Sequence, residues 1–390
     1  MQAKPSVWRS VRSGLVMAML LVLVPVAATA GDSLKIAVVM PLTGPVAAAG
    51  DDLKGGVLMK VDAVNAAGGV NGVKVEPVFY DDQCEPREAA LVAMSIATTP
   101  EIVAIVGHMC SSAHLAALPT YLREGIPAVT PTATSEVISA KNRDEDGKVW
   151  SFRTVYRDDF QGKFLAKYMA KVMGLHRVAL LYENSDYGLG LKKSFLKQAR
   201  RRGLTVVGVE AYKKGDQDFT PLLTKLRAAE PQGLCIAGYY GEAALIANQA
   251  RKVGLRGPLF GPDALDSPDY MRLAGPASEG TFMTAPMLLG GPGSDGQRFS
   301  AAYRERFHRD PAWMSAYAYD TMGVVLAAVA KAGPHREGIR DALAAMTSPE
   351  TGFVGITGTM YFNATGDCLR PAFVKMVRDG TFVAAPGQLD

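Results

Sequence analysis

The sequence has little excess charge of either sign. Across its 390 residues, 42 lysines and arginines nearly balance 38 aspartates and glutamates, which leaves a formal net charge of +4. Lys4, Arg9 and Arg12 contribute three of those positive charges, and the first thirty residues contain no acidic residue. Without these three cations the net charge falls from +4 to +1. The composition therefore gives no support for nucleic-acid binding.

The sequence also lacks the motifs of two large classes of enzyme. No Walker A or G-x-G-x-x-G pattern follows the early predicted strands, which argues against nucleotide chemistry. No G-x-S-x-G elbow is present, although a hydrolase with Cys110 or Ser111 as its nucleophile remains an alternative. His108 and His114 have no acidic or cysteine partner at a metal-binding spacing. We therefore predict no catalytic residue, no metal and no cofactor.

Long hydrophobic runs are absent except at the N-terminus. Residues 14–26 form one apolar run behind the basic residues, and Ala28-Thr29-Ala30 fits the small-x-small cleavage rule. The run is short for a membrane span. We therefore predict a signal peptide over residues 1–30, a mature chain that starts at Gly31, and localisation in the periplasm.

Cysteines are few, and only four occur, at positions 84, 110, 235 and 368. In an oxidising compartment they can pair. Cys84 and Cys110 each follow a predicted strand of one sheet, so we expect these two to form a disulfide. Cys235 lies in an apolar strand and is typical of a small buried residue. Pairing of Cys235 with Cys368 stays open.

Strand and helix patterns alternate along the remaining chain of about 360 residues, a length that suggests two domains. One series of alternating elements runs from Leu34 to Thr130, and a second runs from Gln161 to Gly261. Such alternation predicts right-handed crossovers and parallel sheets with helices on both faces. Ligands of open α/β sheets bind at the carboxyl ends of the strands.

Two hydroxyl-rich segments lie at such strand ends. Ser111 and Ser112 lie between a predicted buried strand and a predicted helix, and residues 130–135 hold a second cluster of threonine and serine. Helix N-termini attract anions, so the two segments together predict a clamp for a carboxylate. Helix capping is the alternative role for the serines. The clamp favours a binder of a small anionic or zwitterionic molecule.

The chain resembles the periplasmic branched-chain amino-acid-binding proteins, of the leucine/isoleucine/valine type, which serve ABC importers. The resemblance covers nearly the whole mature chain and rests on the order and spacing of short stretches. These stretches are 35–39, Thr43-Gly44-Pro45, 80–86, 107–112, 130–134, Arg153-Thr154 with Asp159, Gln161 and Gly162, Asp186-Tyr187-Gly188, Asp218-Phe219-Thr220, Gly238-Tyr239 and Gly261-Pro262.

The resemblance implies a type I periplasmic binding protein with two doubly wound parallel-sheet lobes joined by a three-strand hinge. Lobe one would comprise residues 31–152 plus 285–360, and lobe two residues 153–284 plus 361–390. It further implies a monomer that closes around an amino acid and docks on the membrane permease of an ABC importer.

The resemblance assigns roles to residues at the strand ends. Ser111 and Thr134 match positions that hold the ligand carboxylate. Thr132 matches a position whose carbonyl accepts a hydrogen bond from the ligand ammonium, and Asp263 matches an acidic residue that pairs with it.

Aromatic positions match as well. Tyr187 and Tyr239 would close the site from lobe two, and Trp313 would bound the side-chain pocket. Of the neighbours Tyr239 and Tyr240, we expect only Tyr239 to face the cleft. Cys84 and Cys110 match the family's disulfide.

Two positions depart from the family pattern. Ala49 replaces a tyrosine that contacts the ligand side chain, and Asp263 replaces a glutamate. The ligand is therefore predicted to be a branched-chain or other hydrophobic amino acid, with a related amide or small carboxylate as an alternative. A soluble sensor that feeds a separate signalling partner is the other alternative.

Overall fold

A computed structural model describes residues 1–3, 33–288 and 294–389 of the chain. The predicted signal peptide lies outside the described residues, apart from Met1 to Ala3. Residues 33–390 form one compact unit. In the described part of the chain, no helix combines the length and the apolar character that crossing a membrane requires.

The elements alternate as the sequence predicts. The helices are α1 Ala47–Ala66, α2 Pro86–Ala97, α3 Ser111–Glu124, α4 Glu136–Lys141, α5 Asp158–Lys171, α6 Asp186–Arg201, α7 Thr220–Ala228, α8 Tyr240–Lys252, α9 Pro268–Ala274, α10 Asp295–Phe307, α11 Trp313–Ala332 and α12 Arg336–Ala344. The strands are β1 Leu34–Met40, β2 Val75–Asp81, β3 Ile102–Gly107, β4 Ala128–Thr130, β5 Ser151–Arg153, β6 Arg177–Glu183, β7 Thr205–Tyr212, β8 Gly233–Ala237, β9 Leu259–Gly261, β10 Thr281–Ala285, β11 Phe353–Gly355, β12 Gly358–Met360, β13 Phe373–Arg378 and β14 Thr381–Ala384.

A five-stranded parallel sheet with the order β2-β1-β3-β4-β5 forms the centre of lobe one. Its strand β3 is buried at every residue, because helices cover both faces of the sheet. Helix α11 packs against α1 and against β3 and β4, and α12 packs against β3. In this article, lobe one means this sheet and the helices packed on it.

A seven-stranded sheet with the order β14-β13-β10-β9-β8-β6-β7 forms the centre of lobe two, together with α5 to α9. The predicted α/β class with two such sheets is confirmed, with one refinement. Strands β13 and β14 are antiparallel, because Asp379 and Gly380 form a tight turn with positive φ angles of 52° and 68°. Asp-Gly favours this kind of hairpin turn.

The chain passes between the two lobes three times, after β5, after β10 and after β12. The exact lobe boundaries stay a prediction. At the first and third passages the buried Arg153 pairs with Asp367 at 2.8 Å. The Arg153 guanidinium also donates to the carbonyls of Ala133 and Ser135, both at 3.0 Å. This ion pair therefore fixes the loop that carries the second hydroxyl cluster.

Candidate ligand-binding site

The junction of β3 and α3 places the N-terminus of helix α3 at the carboxyl edge of the sheet. Cys110 is the N-cap residue of α3 and makes no side-chain capping bond. The alternative that Ser111 or Ser112 caps α3 is therefore wrong, because both lie inside its first turn. Ser111 Oγ instead accepts from the Ser135 backbone N–H at 3.2 Å. Helix N-termini attract anions, and at this one the Ser111 N–H faces the Tyr239 side chain of lobe two.

The second hydroxyl cluster is bound to this junction. Thr130 Oγ1 donates to the His108 carbonyl at 2.7 Å, and Thr132 Oγ1 donates to the Met109 carbonyl at 3.1 Å. Thr134 is buried, and its hydroxyl has no hydrogen-bond partner among the described residues. The two segments that the sequence singled out are thus brought together.

His108 and His114 hold this junction in place through buried hydrogen bonds. His108 Nδ1 lies 2.7 Å from Asp82 Oδ2, and its Nε2 lies 2.7 Å from the Tyr121 hydroxyl. His114 Nε2 lies 2.7 Å from Ser151 Oγ, and burial lowers the pKa of His114 well below its usual value. No cluster of metal-ligating side chains occurs within the described ranges. Sequence reasoning missed this network, because its members are distant along the chain.

The predicted disulfide joins Cys84 to Cys110, with a Cα–Cα distance of 5.4 Å. It links the loop after β2 to the N-terminus of α3. Cys235 and Cys368 are both buried and free. Burial raises the pKa of Cys235 to about 12, so this thiol is a packed apolar group and not a nucleophile.

Lobe two places an acidic group opposite α3. Asp263 lies in a single 3-10 turn, Asp263–Leu265, that follows β9. The Tyr187 hydroxyl donates to Asp263 Oδ1 at 2.8 Å, and the Tyr187 ring lies 4.9 Å from the Tyr239 ring. Trp313 Nε1 of lobe one donates to the Asp263 carbonyl at 3.3 Å.

Among the described residues, no cationic side chain forms an ion pair with the Asp263 carboxyl group. It is only 3% exposed, and its Oδ2 has no hydrogen-bond partner in the described part of the chain. Burial raises the pKa of Asp263 to about 7, although the nearby polar groups of Tyr187, Gln161 and Tyr156 oppose the rise. An unpaired buried carboxylate is costly unless a cation arrives. Asp263 is therefore prepared for a positively charged group.

A second buried acid, Asp158, lies beside the hydroxyl cluster and was missed by sequence reasoning. Its backbone N–H donates to the Thr134 carbonyl at 2.9 Å. Burial raises the pKa of Asp158 well above its usual value, and the nearby Asp263 adds to the rise. The only signal in the sequence was its place between Arg153-Thr154 and Gln161-Gly162.

One small cavity of about 30 Å³ lies between these groups. Six of the seven predicted ligand-binding residues line this cavity, namely Ser111, Thr132, Tyr187, Tyr239, Asp263 and Trp313. Thr134 is not among them. Ala49, Met109, Tyr240, Ala264 and Met314 complete the lining.

The expectation that only Tyr239 faces the cleft is wrong, because Tyr240 also lines the cavity. Tyr239 is the N-cap of α8 and has extended backbone angles, whereas Tyr240 is the first helical residue. The change of backbone direction at this point lets both neighbouring side chains reach the same space. The Tyr240 hydroxyl lies 3.5 Å from the Pro45 carbonyl of lobe one.

Further contacts join the lobes at the rim of the cleft. Lys214 Nζ of lobe two lies 2.6 Å from Glu85 Oε1 and 3.1 Å from the Cys84 carbonyl. Ser112 Oγ accepts from the Asp186 backbone N–H at 3.1 Å. The cavity is therefore covered by contacts between the lobes.

Comparisons with known proteins agree with this architecture. A family model described as periplasmic binding protein matches residues 33–381. A leucine-, isoleucine-, valine-, threonine- and alanine-binding protein of Pseudomonas aeruginosa is 33% identical over 340 residues, which cover 87% of this chain and 88% of the relative.

Solved structures are similar over most of the chain. A leucine-binding protein of Thermotoga maritima has a TM-score of 0.81 and 29% identity, and the match covers 90% of this chain and 97% of that chain. A branched-chain amino acid transporter substrate-binding protein of Streptococcus pneumoniae, in complex with isoleucine, has a TM-score of 0.82 and 28% identity, with coverage of 90% and 98%. The chain therefore belongs to the periplasmic binding protein family.

Proposed function

We propose that this protein captures an amino acid with an apolar side chain between its two lobes and delivers it to an ABC importer. One observation carries the proposal. The cavity has the N-terminus of α3 on one side and the buried, unpaired carboxyl group of Asp263 on the other. These are complementary partners for the two charges of a zwitterion.

The ligand carboxylate is held by lobe one. The N–H groups in the first turn of α3 and the Ser111 hydroxyl donate to its oxygens. Thr134 does not line the cavity, and its carbonyl holds the loop in place through the bond from the Asp158 N–H. Hydrogen bonds to a charged group gain strength where water is excluded.

The ligand ammonium is held mainly by lobe two. It pairs with Asp263 Oδ2 and donates to the Thr132 carbonyl, while Tyr187 keeps the Asp263 carboxyl group in place. Its arrival favours the charged form of Asp263 over the neutral one.

The ligand side chain lies in the apolar half of the cavity. Ala49, Met109, Trp313 and Met314 line this half, and the ring of Tyr240 closes it from lobe two. None of these five side chains carries a charge, so an apolar ligand side chain fits. The similar proteins of Pseudomonas aeruginosa and Streptococcus pneumoniae, which bind or hold such amino acids, support this choice.

In this proposal the protein binds its ligand and has no catalytic activity. It acts as a monomer in the periplasm after cleavage behind Ala30, and its closed form docks on a membrane permease. Closure and release are a hinge motion around the three connecting segments.

A thermal-shift screen of the chain from Gly31 tests this proposal, with all amino acids, their amides and small carboxylic acids as ligands. A ligand present at 100 times its Kd stabilises the folded state by about 2.7 kcal/mol. We expect the largest rise in melting temperature with leucine, isoleucine, valine or a larger apolar amino acid. A rise with carboxylic acids alone would contradict the assignment of Asp263 to the ammonium. A rise with the amides alone would contradict the assignment of the α3 N-terminus to the carboxylate.

A further inference from the structure

Gln161 is buried behind the ligand cavity, and its side chain joins three elements. The residue is 1% exposed and lies in the first turns of α5. Its Oε1 accepts from the Asp263 backbone N–H at 3.1 Å and from Thr284 Oγ1 at 2.7 Å. Its Nε2 donates to Asp158 Oδ1 at 3.2 Å.

These bonds complete a continuous path between the two halves of the proposed site. The Thr134 carbonyl of the hydroxyl cluster accepts from the Asp158 N–H at 2.9 Å. Asp158 Oδ1 accepts from Gln161, and Gln161 accepts from Asp263. The loop assigned to the ligand carboxylate is thereby linked to the acid assigned to the ligand ammonium.

The path requires an amide at position 161. The Asp263 backbone N–H can only donate, so the side-chain atom that faces it must be an oxygen. Asp158 Oδ1 faces the other end of the Gln161 side chain and accepts a hydrogen bond from its amide nitrogen. A carboxylate would supply the oxygen but would add negative charge between Asp158 and Asp263, and an alkyl group would leave buried polar atoms without partners.

We propose that Gln161 is a positioning residue that sets the separation between the carboxylate and ammonium contacts. It thereby selects α-amino acids over ligands that carry only one of the two charged groups. This inference rests on the proposed function. A displaced Asp263 still leaves the α3 N-terminus intact, so loss of Gln161 weakens the ammonium contact more than the carboxylate contact.

The test compares two ligands, L-leucine and its des-amino analogue 4-methylpentanoate, by calorimetry on the chain from Gly31. The quantity measured is the Kd of the analogue divided by the Kd of leucine. We expect Gln161→Leu to lower this ratio about tenfold or more, as expected for the weakening of a hydrogen bond to a charged group.

Gln249→Leu is the matched control. Gln249 also bridges main-chain groups of lobe two, since it accepts from the Phe219 N–H and donates to the Gln217 carbonyl, both at 2.7 Å. It is not among the residues that line the cavity. We expect this variant to keep the wild-type ratio even if its melting temperature falls.

Gln161→Glu covers the case in which Gln161→Leu does not fold. It preserves the shape of the side chain, and we expect it to lower the ratio and to move the pH midpoint of leucine binding upward. An unchanged ratio and an unchanged midpoint, with both ligands weakened equally, would show a purely structural role and overturn the proposal. A wild-type protein that binds neither leucine nor any other amino acid would instead overturn the proposed function, and this inference with it.

Discussion

At the scale of single residues, Asp263 is the main electrostatic feature of the proposed site. It is buried, one of its oxygens has no partner among the described residues, and burial raises its pKa to about 7. A structural acid in such a place would normally be paired. The oxygen without a partner, Oδ2, is therefore consistent with a site that binds a cation.

The affinity for an amino acid should depend on pH through Asp263. The ligand ammonium favours the charged carboxylate, so binding must displace a proton wherever Asp263 is protonated in the free protein. We expect leucine affinity to rise as pH increases toward about 7, by about tenfold per pH unit at most, and then to level off. Calorimetry between pH 5 and pH 8 measures this.

The des-amino analogue supplies the control for that prediction. A carboxylate without an ammonium is repelled by ionised Asp263, so its affinity should fall over the same pH range. Parallel profiles for the two ligands would contradict the role of Asp263.

Asp367 is a residue on which stability depends. Burial opposes its charge, but Arg153, Ser139, Thr365 and Arg157 together lower the pKa of Asp367. Asp367→Asn leaves the buried Arg153 guanidinium uncompensated, and we expect a loss of about 3–5 kcal/mol in the free energy of unfolding. Urea unfolding measures it, with Glu124→Gln, at the exposed Arg123–Glu124 pair, as a control that should change little.

Single residues were predicted unevenly from the sequence. Ser111 and Tyr187 could be named because each lies at an element end within a recognisable stretch, and Asp263 directly follows the stretch Gly261-Pro262. Asp158, Gln161 and Tyr240 could not be ranked, since their importance comes from contacts between segments that are far apart in the chain.

At the scale of elements, the loop after β2 and the loop after β7 contact each other at the rim of the cleft. Lys214 of lobe two inserts its ammonium among Glu85 and the carbonyls of Gln83 and Cys84. The disulfide holds Cys84 against the start of α3. The contact between the lobes and the proposed carboxylate site therefore share one segment, the loop after β2 that the disulfide links to the start of α3.

Loss of this contact should shorten the lifetime of the closed form. Lys214 is 23% exposed, so solvent weakens its contribution, and we expect Lys214→Met to raise the dissociation rate of the amino acid about 5- to 10-fold. Stopped-flow fluorescence measures the rate. Lys193→Met is the control, because Lys193 also pairs across the lobes, with Glu136, but is 74% exposed. Equal effects of the two variants would contradict a specific role for Lys214.

Elements were predicted well wherever apolar runs are strong. The first predicted series agrees at both ends, since β1 begins at Leu34 and β4 ends at Thr130, and the second series ends at Gly261 together with β9. Helix α3 begins at Ser111, earlier than predicted. The antiparallel β13 and β14 were missed, because a hairpin at a sheet edge leaves no crossover pattern in the sequence. The boundaries of α3 mattered most, since they decide that Ser111 and Ser112 lie inside the helix and do not cap it.

At the scale of the whole molecule, one cross-link supports the site. The Cys84–Cys110 disulfide closes a loop with a sequence separation of 26, which in the chain-entropy account stabilises the fold by about 3 kcal/mol. We expect the Cys84→Ala, Cys110→Ala double variant to melt at a lower temperature and to bind leucine more weakly, because the Lys214 contact loosens. Wild-type protein measured with and without reductant should show the same two changes.

The measurement that tests the central claim most directly is a calorimetric titration with leucine, isoleucine and valine of the chain from Gly31 and its Asp263→Asn variant. We expect the wild-type chain to bind at least one of these amino acids, or a larger apolar amino acid, saturably and with 1:1 stoichiometry. We expect the Asp263→Asn variant to bind the same amino acid about 30-fold more weakly or worse, because the substitution removes one partner of a buried charge pair. Asp269→Asn, at the Asp269–Arg272 pair on the surface of α9, should bind as the wild type does. Absence of binding to every amino acid, or equal affinity in wild type and Asp263→Asn, would contradict the capture of a zwitterion in this cleft.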